Sequence, residues 1–595
     1  MNLVWKKLSY AVMSAIFLIS FSSCSGGAAQ PGANPSPADA AVSETAPEIE
    51  TESAAPSDSS PSQEASVAAS ESETASGAAT EDYHKYPNPV TVTMATAVPT
   101  LLPTGEDINT NKIQPILQQY LNININYTYV VQQNQNYDEK MNVLIASGNL
   151  PDIMLINSLS QVQELVKANQ LADLTQVYDQ YSTPNFKQVF DSWGSQGWTS
   201  ATYNGNKMAI PSLGLLGQHM FTWVRTDWLD KVGGQMPSTY DDLVNLANEF
   251  IEKDPGGNGA GKTIGMEFDC ELNLGGAYNT PLAPDPLFNS FNSFTGSWYY
   301  DNYNNLQYGS VAPETKTALT ALSGLYQQGI LAKDFAIKKQ ADIVADINAG
   351  KCGITFGPWW TIYWPLNDAY TNDQNARWAP CLCPLDADGS YMASPGNPHT
   401  QWVVVSKNCK NPEAAVILAS FSYDACLHLI PEIEALQAQT NQGYDWALFG
   451  CPIQFAADIP IVKSVDIAWN AIDKKDVSLV KDTNNDAFWV LRAQGAIDYL
   501  NGNVNASSVQ EYSNCLGEKV AADPKTSFFN QVFPAPTKTM NLKWANLQKL
   551  ELQDMLAIIM GNQPPDYFDT FVNDWKNQGG AQITDEVTAE LASMQ

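Results

Sequence analysis

Positive charge is scarce in this sequence: its 595 residues hold 31 Lys and Arg against 63 Asp and Glu, a formal net charge of −32 at pH 7. A surface so negative repels phosphate backbones at long range, which excludes nucleic acid as a partner. Histidine is scarcer still, with four residues, at positions 84, 219, 399 and 428. Neither H-E-x-x-H nor G-x-S-x-G occurs, so a histidine-based triad or metal centre is poorly supplied. No internal repeat is visible, which argues against a solenoid or propeller. The one long uncharged apolar run, residues 8–21, rises only about 21 Å as a helix, short of the roughly 30 Å hydrocarbon core of a bilayer. What is present is 44% apolar and 10% aromatic residues, enough to bury more than one core and to form at least two domains. With only 16% charged residues and plentiful Asn, Gln, Ser, Thr, Tyr and Trp, the composition suits neutral polar ligands such as sugars.

Lys6 and Lys7 precede the apolar run, which ends at Ser22, Ser23 and Cys24. This reads as an export signal over residues 1–23. The Ser-Ser-Cys ending resembles a bacterial lipobox, which implies that Cys24 is acylated and becomes the new N-terminus. Residues 25–82 are dominated by Ala, Ser, Pro, Gly, Glu and Asp and cannot bury enough surface to offset their ordering entropy, so 24–82 is expected to be an acylated, disordered acidic linker. A flexible chain of that length has an end-to-end distance of about 40 Å, lengthened by its own charge. The other cysteines are scattered, without zinc-site spacing; disulfides and buried free thiols both remain open.

From residue 87 the pattern changes. VTVTMAT and LNININYTYV carry β-formers around the helix-like NKIQPILQQYL, and YDEKMNVLIASGNLPDIMLIN repeats the alternation. Such alternation predicts parallel sheets with covering helices. HMFTWVRTDWL reads as a strand entering a helix. Pro237 and Ser238 then open a helix whose Leu243, Leu246, Ala247 and Phe250 share one face. Helices are also predicted at PETKTALTALSGLYQQG, at NPEAAVILASFSYD and before Gly561, with strands at KCGITFG and QWVVVSKN.

The order of these motifs resembles the family 1 extracellular solute-binding proteins, in particular the long lipoprotein branch found with sugar-import ABC transporters. The stretches that carry the resemblance are ASGNLPDIML, TYNGNKMAIP, FTWVRTDWLDKVGGQMPSTYDDL, DPGGNGAGKTIG, VAPETKTALTALSGLYQQGILAKDF, AGKCGITFGPWW, SKNCKNPEAA and IIMGNQPPDYFDTFVNDWKNQGGAQITDEV. It implies an α/β, two-lobed periplasmic-binding-protein-like fold with a central cleft, hinge strands and extra C-terminal helices. Crossings are implied near 210–220 and 380–401. Lobe one takes 83–212 plus about 400–440; lobe two takes 213–398 plus parts of 441–595.

The resemblance and the residues together nominate a ligand site. Trp359 and Trp360 follow a strand and Gly357-Pro358; indole faces bury the C–H faces of sugar rings, although both could instead plug a lobe core. In maltose-type relatives the Trp directly after this Gly-Pro stacks on ligand, a role that falls on Trp359. Asn157 and Ser158 follow PDIMLI, and Gln218 and His219 sit at the first crossing, where relatives place ligand contacts. Amides can donate and accept together, matching vicinal hydroxyls. Arg225 could clamp a uronic-acid carboxylate or pair with Asp227. Tyr203 and Trp402 could line the cleft or pack at the hinge.

Residues 256–263, GGNGAGKT, satisfy the nucleotide-binding pattern G-x-x-x-x-G-K-[ST]. A helix precedes them and a strand-like TIGMEF follows, the reverse of what phosphate binding needs. The same loop resembles the family's calcium-binding turn DPDGNGKKDTIG, which implies Asp254 and Asn258 as ligands; Gly256 and Lys262 replace acidic residues there and weaken the site, so no cofactor is expected beyond that calcium. Asp386, Asp388, Asp482 and Asp486 are near enough in sequence to consider a glycosidase pair. The reading that results is a monomeric, membrane-anchored lipoprotein at the cell surface that captures an extracellular oligosaccharide by lobe closure and delivers it to ABC permease subunits without catalysis. Its rivals are a glycan-binding or sensing surface lipoprotein with no permease, and a glycan-degrading enzyme.

Overall fold

Strands rich in Val, Ile and Tyr separated by amphipathic helices build the first half of the molecule. The computed structural model describes residues 83–98, 107–132, 137–213, 219–274, 280–397, 399–427, 429–439, 461–481 and 486–594. All lie in the compact unit Asp82–Gln595; the export segment, Cys24 and the acidic linker fall outside the described residues. Val90–Val98, Ile123–Gln132 and Ile153–Ile156 form the parallel part of a sheet, with Ile113–Leu121 and Tyr137–Ser147 as crossover helices. Every residue of Ile153–Ile156 is buried, as a strand covered on both faces requires. Its odd positions, Ile153 and Leu155, join Val92, Phe186, Phe190 and Ile417 in one core. Met154 and Ile156 face Met141, Val162 and Leu165 in another.

The sheet is completed by chain that returns from far along the sequence. Trp402–Val405 runs antiparallel to Ile153–Ile156, with Trp402 opposite Ile156, and Ile210–Pro211 pairs on its other side. The beginning of the returning strand therefore lies at the same edge as the end of Ile153–Ile156.

A second sheet has Phe221–Arg225 between Ile354–Gly357 and Trp378–Cys381, antiparallel to both. The amphipathic helix Tyr240–Lys253 buries Leu243, Leu246, Ala247 and Phe250 beside it. It starts after Thr239 rather than at Pro237, because Thr239 and Asp242 cap each other reciprocally. Burying each such side chain contributes roughly 1.5–3 kcal/mol against the few tenths that helix propensity adds, so packing holds the helix in place. Lys538–Ile559 and the helices after it send Leu547, Met555, Ile559, Phe571 and Trp575 into this same core.

The sequence left the helices over 441–545 without a place. Ile461–Lys474, Asp486–Leu500 and Ala506–Ala521 form a small core of their own around Ile472, Trp489 and Ala493. Ala521 joins Trp359, Trp360 and Trp378, which docks the group on the second sheet.

The chain passes between the two sheets over 212–220 and 394–401, of which 214–218 and 398 lie outside the described residues. At the first sheet Ser212 fastens the two passages together: its amide donates to the Gln401 carbonyl at 2.7 Å, and its hydroxyl accepts from the amides of Thr400 and Gln401 at 3.0 Å each. Just ahead of the second sheet the Met220 carbonyl accepts from the phenol of Tyr391 at 2.6 Å, Tyr391 lying in a separate ribbon of Tyr391–Ala393 and Thr526–Phe528.

Docking of Ala506–Ala521 depends on Gly517, where an added Cβ would lie 2.5 Å from the Trp359 carbonyl oxygen and 3.0 Å from its Cα. Overpacking against rigid backbone costs about 1–3 kcal/mol, more than the helix-propensity gain of up to about 1 kcal/mol. Gly517→Ala should lower the melting temperature in scanning calorimetry. Gly324→Ala, in the helix Pro313–Gln327, where the nearest atom to an added Cβ is the Gln328 side-chain amide nitrogen at 3.8 Å, should hold or raise it.

Candidate functional site

Ligands of open α/β sheets collect at strand ends where chain direction reverses, and the edge shared by Ile156, Pro211 and Trp402 is such a place. The antiparallel register brings the residues just beyond it together: Gln401 Nε2 donates to Asn157 Oδ1 at 3.1 Å. That bond fixes both amides. Asn157 turns its NH2 away from Gln401, and Gln401 turns away Oε1; both residues are partly exposed. A donor and an acceptor side by side match the vicinal hydroxyls of a sugar. Ser158 begins the helix Leu159–Lys167 without a side-chain capping bond, so its hydroxyl remains available beside the pair. Gln401 was missed in the sequence; it stood in the expected crossing, but only strand register sets it against Asn157.

The indole of Trp402 is buried behind this edge and donates to Ser200 Oγ at 2.8 Å. Ser200 Oγ lies 2.5 Å from His399 Nδ1. The serine oxygen accepts the indole proton and keeps a second lone pair and its own O–H, so it pairs with Nδ1 of the imidazole in either tautomer. Burial lowers the pKa of His399 to about 3. Tyr203 is also buried, its phenol 3.4 Å from the Ser200 carbonyl. Tyr203 and Trp402 thus pack at the hinge and offer no open face. His219 is buried among Phe221, Tyr391 and Phe528, and neither ring nitrogen has a hydrogen-bond partner among the described residues. Burial lowers its pKa to about 4. Gln218 lies outside the described residues.

Trp359 and Trp360 follow the end of Ile354–Gly357 in the short turn Trp359–Ile362, and both are buried. The Arg492 guanidinium lies 5.3 Å from the Trp359 ring. Arg492 donates to the Tyr363 phenol at 2.7 Å and pairs with Glu518 at 3.3 Å and Glu511 at 3.9 Å. Burial raises the Glu518 carboxyl to about 7 even with Arg492 beside it. Trp359 therefore has a cation on its ring and a helix against its backbone, and a ligand stack needs this region to open. Arg492 had no signal in the sequence because its helix had no assigned neighbour.

The carboxylate-clamping role of Arg225 is corrected by its surroundings. Its guanidinium is 1% exposed, donates to both Asp227 oxygens at 2.7 and 2.8 Å and to Asp373 at 3.1 Å, and lies over Trp228 and Trp378. Four residues of strand separate it from Phe221, so it sits about 13 Å from the edge that faces the crossings. Asp386 and Asp388 hold a turn through Ser390, and Asp482 lies outside the described residues.

The loop at Asp254 does not fit a cation. Its carboxylate already accepts from the amides of Asn258 and Gly259 at 2.9 and 2.8 Å and from the Thr263 hydroxyl at 2.5 Å; these bonds hold its pKa below the usual range. Asn258 Nδ2 is bonded to Thr263 and to the Gly350 carbonyl. A Cβ at Gly256 would come within 2.6 Å of Asn258 and Trp228, so no acidic side chain fits there. Among the described residues no group of three His, Cys, Asp or Glu is placed to hold a metal. Thr263→Val removes two internal bonds of about 1 kcal/mol each and should lower the melting temperature by the same amount in EDTA and in calcium. A wild-type melt that falls several degrees in EDTA would contradict this.

A family model for bacterial extracellular solute-binding protein matches residues 107–424. Lipoprotein LipO of Bacillus subtilis strain 168 is 30% identical over 245 residues, 40% of this chain and 45% of that protein. The fructooligosaccharide ABC transporter substrate-binding protein FusA of Streptococcus pneumoniae serotype 4 is 28% identical over 173 residues, 27% of this chain and 31% of that one. The chain thus spans less than half the length of these curated relatives. An extracellular solute-binding protein from Bifidobacterium longum subsp. infantis has a crystal structure that matches with a TM-score of 0.55 at 17% identity, over 85% of this chain and 98% of that one. At that identity the match speaks for the fold, which is the two-lobed periplasmic-binding-protein type. Since the family model covers more than half of the sequence, the chain belongs to the bacterial extracellular solute-binding protein family, whose members bind solutes and are not enzymes.

Proposed function

We propose that this protein is the substrate-binding lipoprotein of an ABC importer, which captures an extracellular oligosaccharide by lobe closure and hands it, chemically unaltered, to a membrane permease. The observation that carries this reading is the fixed Asn157–Gln401 amide pair at the sheet edge beside both crossings. FusA, which by its name serves fructooligosaccharide import, supports the ligand class. Lobe one is residues 83–212 with 400–440, and lobe two is 213–398 with the C-terminal helices. Ligand contacts from both lobes exist together only in the closed form, so binding shifts the population toward closure. His219, Trp359 and Trp360 supply the lobe-two wall. Cys24 is acylated after the signal segment is removed, and the acidic linker lifts a monomeric body off the membrane at the cell surface. Micromolar capture corresponds to about −8 kcal/mol, within reach of a few hydrogen bonds and one or two aromatic contacts.

Small-angle scattering with and without kestose or another binding oligosaccharide should show a smaller radius of gyration in the liganded protein, and the recovered sugar should be intact. An unchanged envelope at saturation, or new reducing ends, would refute the reading. Asn157→Ala and Gln401→Ala should each weaken binding about tenfold, as expected for one or two hydrogen bonds of about 1 kcal/mol. In the native bacterium, Cys24→Ser should move the protein from the membrane fraction to the medium.

A further inference from the structure

We propose that the captured oligosaccharide is uncharged and that the cleft rejects uronic-acid oligomers. This rests on the binding reading above and adds to it the charge of the ligand, which composition and fold leave open. Every described strand end that faces the crossings belongs to a stretch without Lys or Arg: residues 141–166 carry Asn157 and Ser158, 208–224 carry the first crossing, 352–376 carry Trp359 and Trp360, and 378–406 carry the second crossing. A sugar carboxylate entering there would lose water and meet no compensating cation.

The enclosed cations Arg225, Arg492 and Lys338 are already committed. Arg225 is at the opposite end of its strand and is held by Asp227 and Asp373. Arg492, behind Trp359, is held between Glu518 and Glu511, so freeing it for a ligand would strand the buried Glu518 carboxyl. Lys338 is bonded to Glu267 and Asp346. The histidines of the crossings, His219 and His399, are both buried, and burial holds each of them neutral. What the edge does present is an amide donor, an amide acceptor and the Ser158 hydroxyl, all of them neutral and suited to a vicinal diol. The net charge of −32 adds long-range repulsion of polyanions.

Titration calorimetry on the purified protein with kestose, maltotriose, mannotriose and trigalacturonate tests this, at 20 and 150 mM salt. At least one neutral trisaccharide should bind, with trigalacturonate at least a hundredfold weaker than the best of them at both salts. Trigalacturonate binding within tenfold of the best neutral sugar overturns the proposal. Ser158→Lys places a cation beside the amide pair without removing a capping bond, because Ser158 makes none. That variant should gain trigalacturonate binding, stronger at low salt than at high salt. If its circular dichroism matches wild type and it gains nothing, the missing cation is not what excludes the acid, and the proposal is overturned. If all four sugars fail while a peptide or other solute raises the melting temperature, the oligosaccharide reading itself falls and takes this inference with it.

Discussion

A single serine hydroxyl holds together the sheet edge at which Asn157 and Gln401 meet. Ser212 Oγ accepts the amides of Thr400 and Gln401 at 3.0 Å each, using both of its lone pairs. Two passages of chain far apart in sequence are thereby tied where they leave the first sheet. The tie does more than connect. By fixing the backbone of Gln401 it sets the side chain against Asn157, so the donor and acceptor of the amide pair point in defined directions before any ligand arrives. Preorganisation of this kind lowers the ordering cost of binding. At the other end Tyr391, on the ribbon of Tyr391–Ala393 and Thr526–Phe528, bonds the Met220 carbonyl just ahead of the second sheet, so the first passage is held at a defined point at each end.

A chain with few cations keeps two of them inside. Arg225 and Arg492 each lie over tryptophan and each satisfy two acidic residues. Buried ion pairs add little net stability once desolvation is counted, but losing one partner leaves an uncompensated charge. Their role is positional: Arg225 fixes the helix that begins at Thr226 against Asp373, and Arg492 fixes Asp486–Leu500 against the Trp359 turn. Both arginines are therefore structural, and the binding edge keeps its neutral chemistry. The same division of labour explains why residue type alone misleads at Arg225, where an arginine in a presumed ligand region faces inward.

Much of the scaffold was legible because its signals are local. The alternation from Val90 to Lys167, the stripe through Leu243 and Phe250, and the helix ahead of Gly561 all appear as expected. Period-two and period-3.6 patterns survive in one dimension. What the sequence could not supply was any partner set by distant pairing. Gln401 meets Asn157 through antiparallel register, Arg492 meets Trp359 through docking of a helical group with no neighbour in sequence, and His399 meets Trp402 through the hydroxyl of Ser200. Candidates chosen by residue type were accordingly mixed: Asn157 and Ser158 stand at the open edge, whereas Tyr203, Trp402 and Arg225 are enclosed.

The loop at 254–263 shows why letters and chemistry separate. Its sequence fits a phosphate cradle and resembles a calcium turn, two sites with opposite needs. A phosphate needs backbone amides pointing outward, and a cation needs several carboxylate and carbonyl oxygens converging on it. Here the amides of Asn258 and Gly259 donate inward to Asp254, and Asp254, which also accepts from Thr263, is the loop's one carboxylate. The amides are thus spent on Asp254, and no second acid stands beside it. The turn is thus closed by its own hydrogen bonds, and Asn258 carries the closure to the carbonyl of Gly350 just ahead of Ile354–Gly357. The loop thereby braces the strand that leads to Trp359.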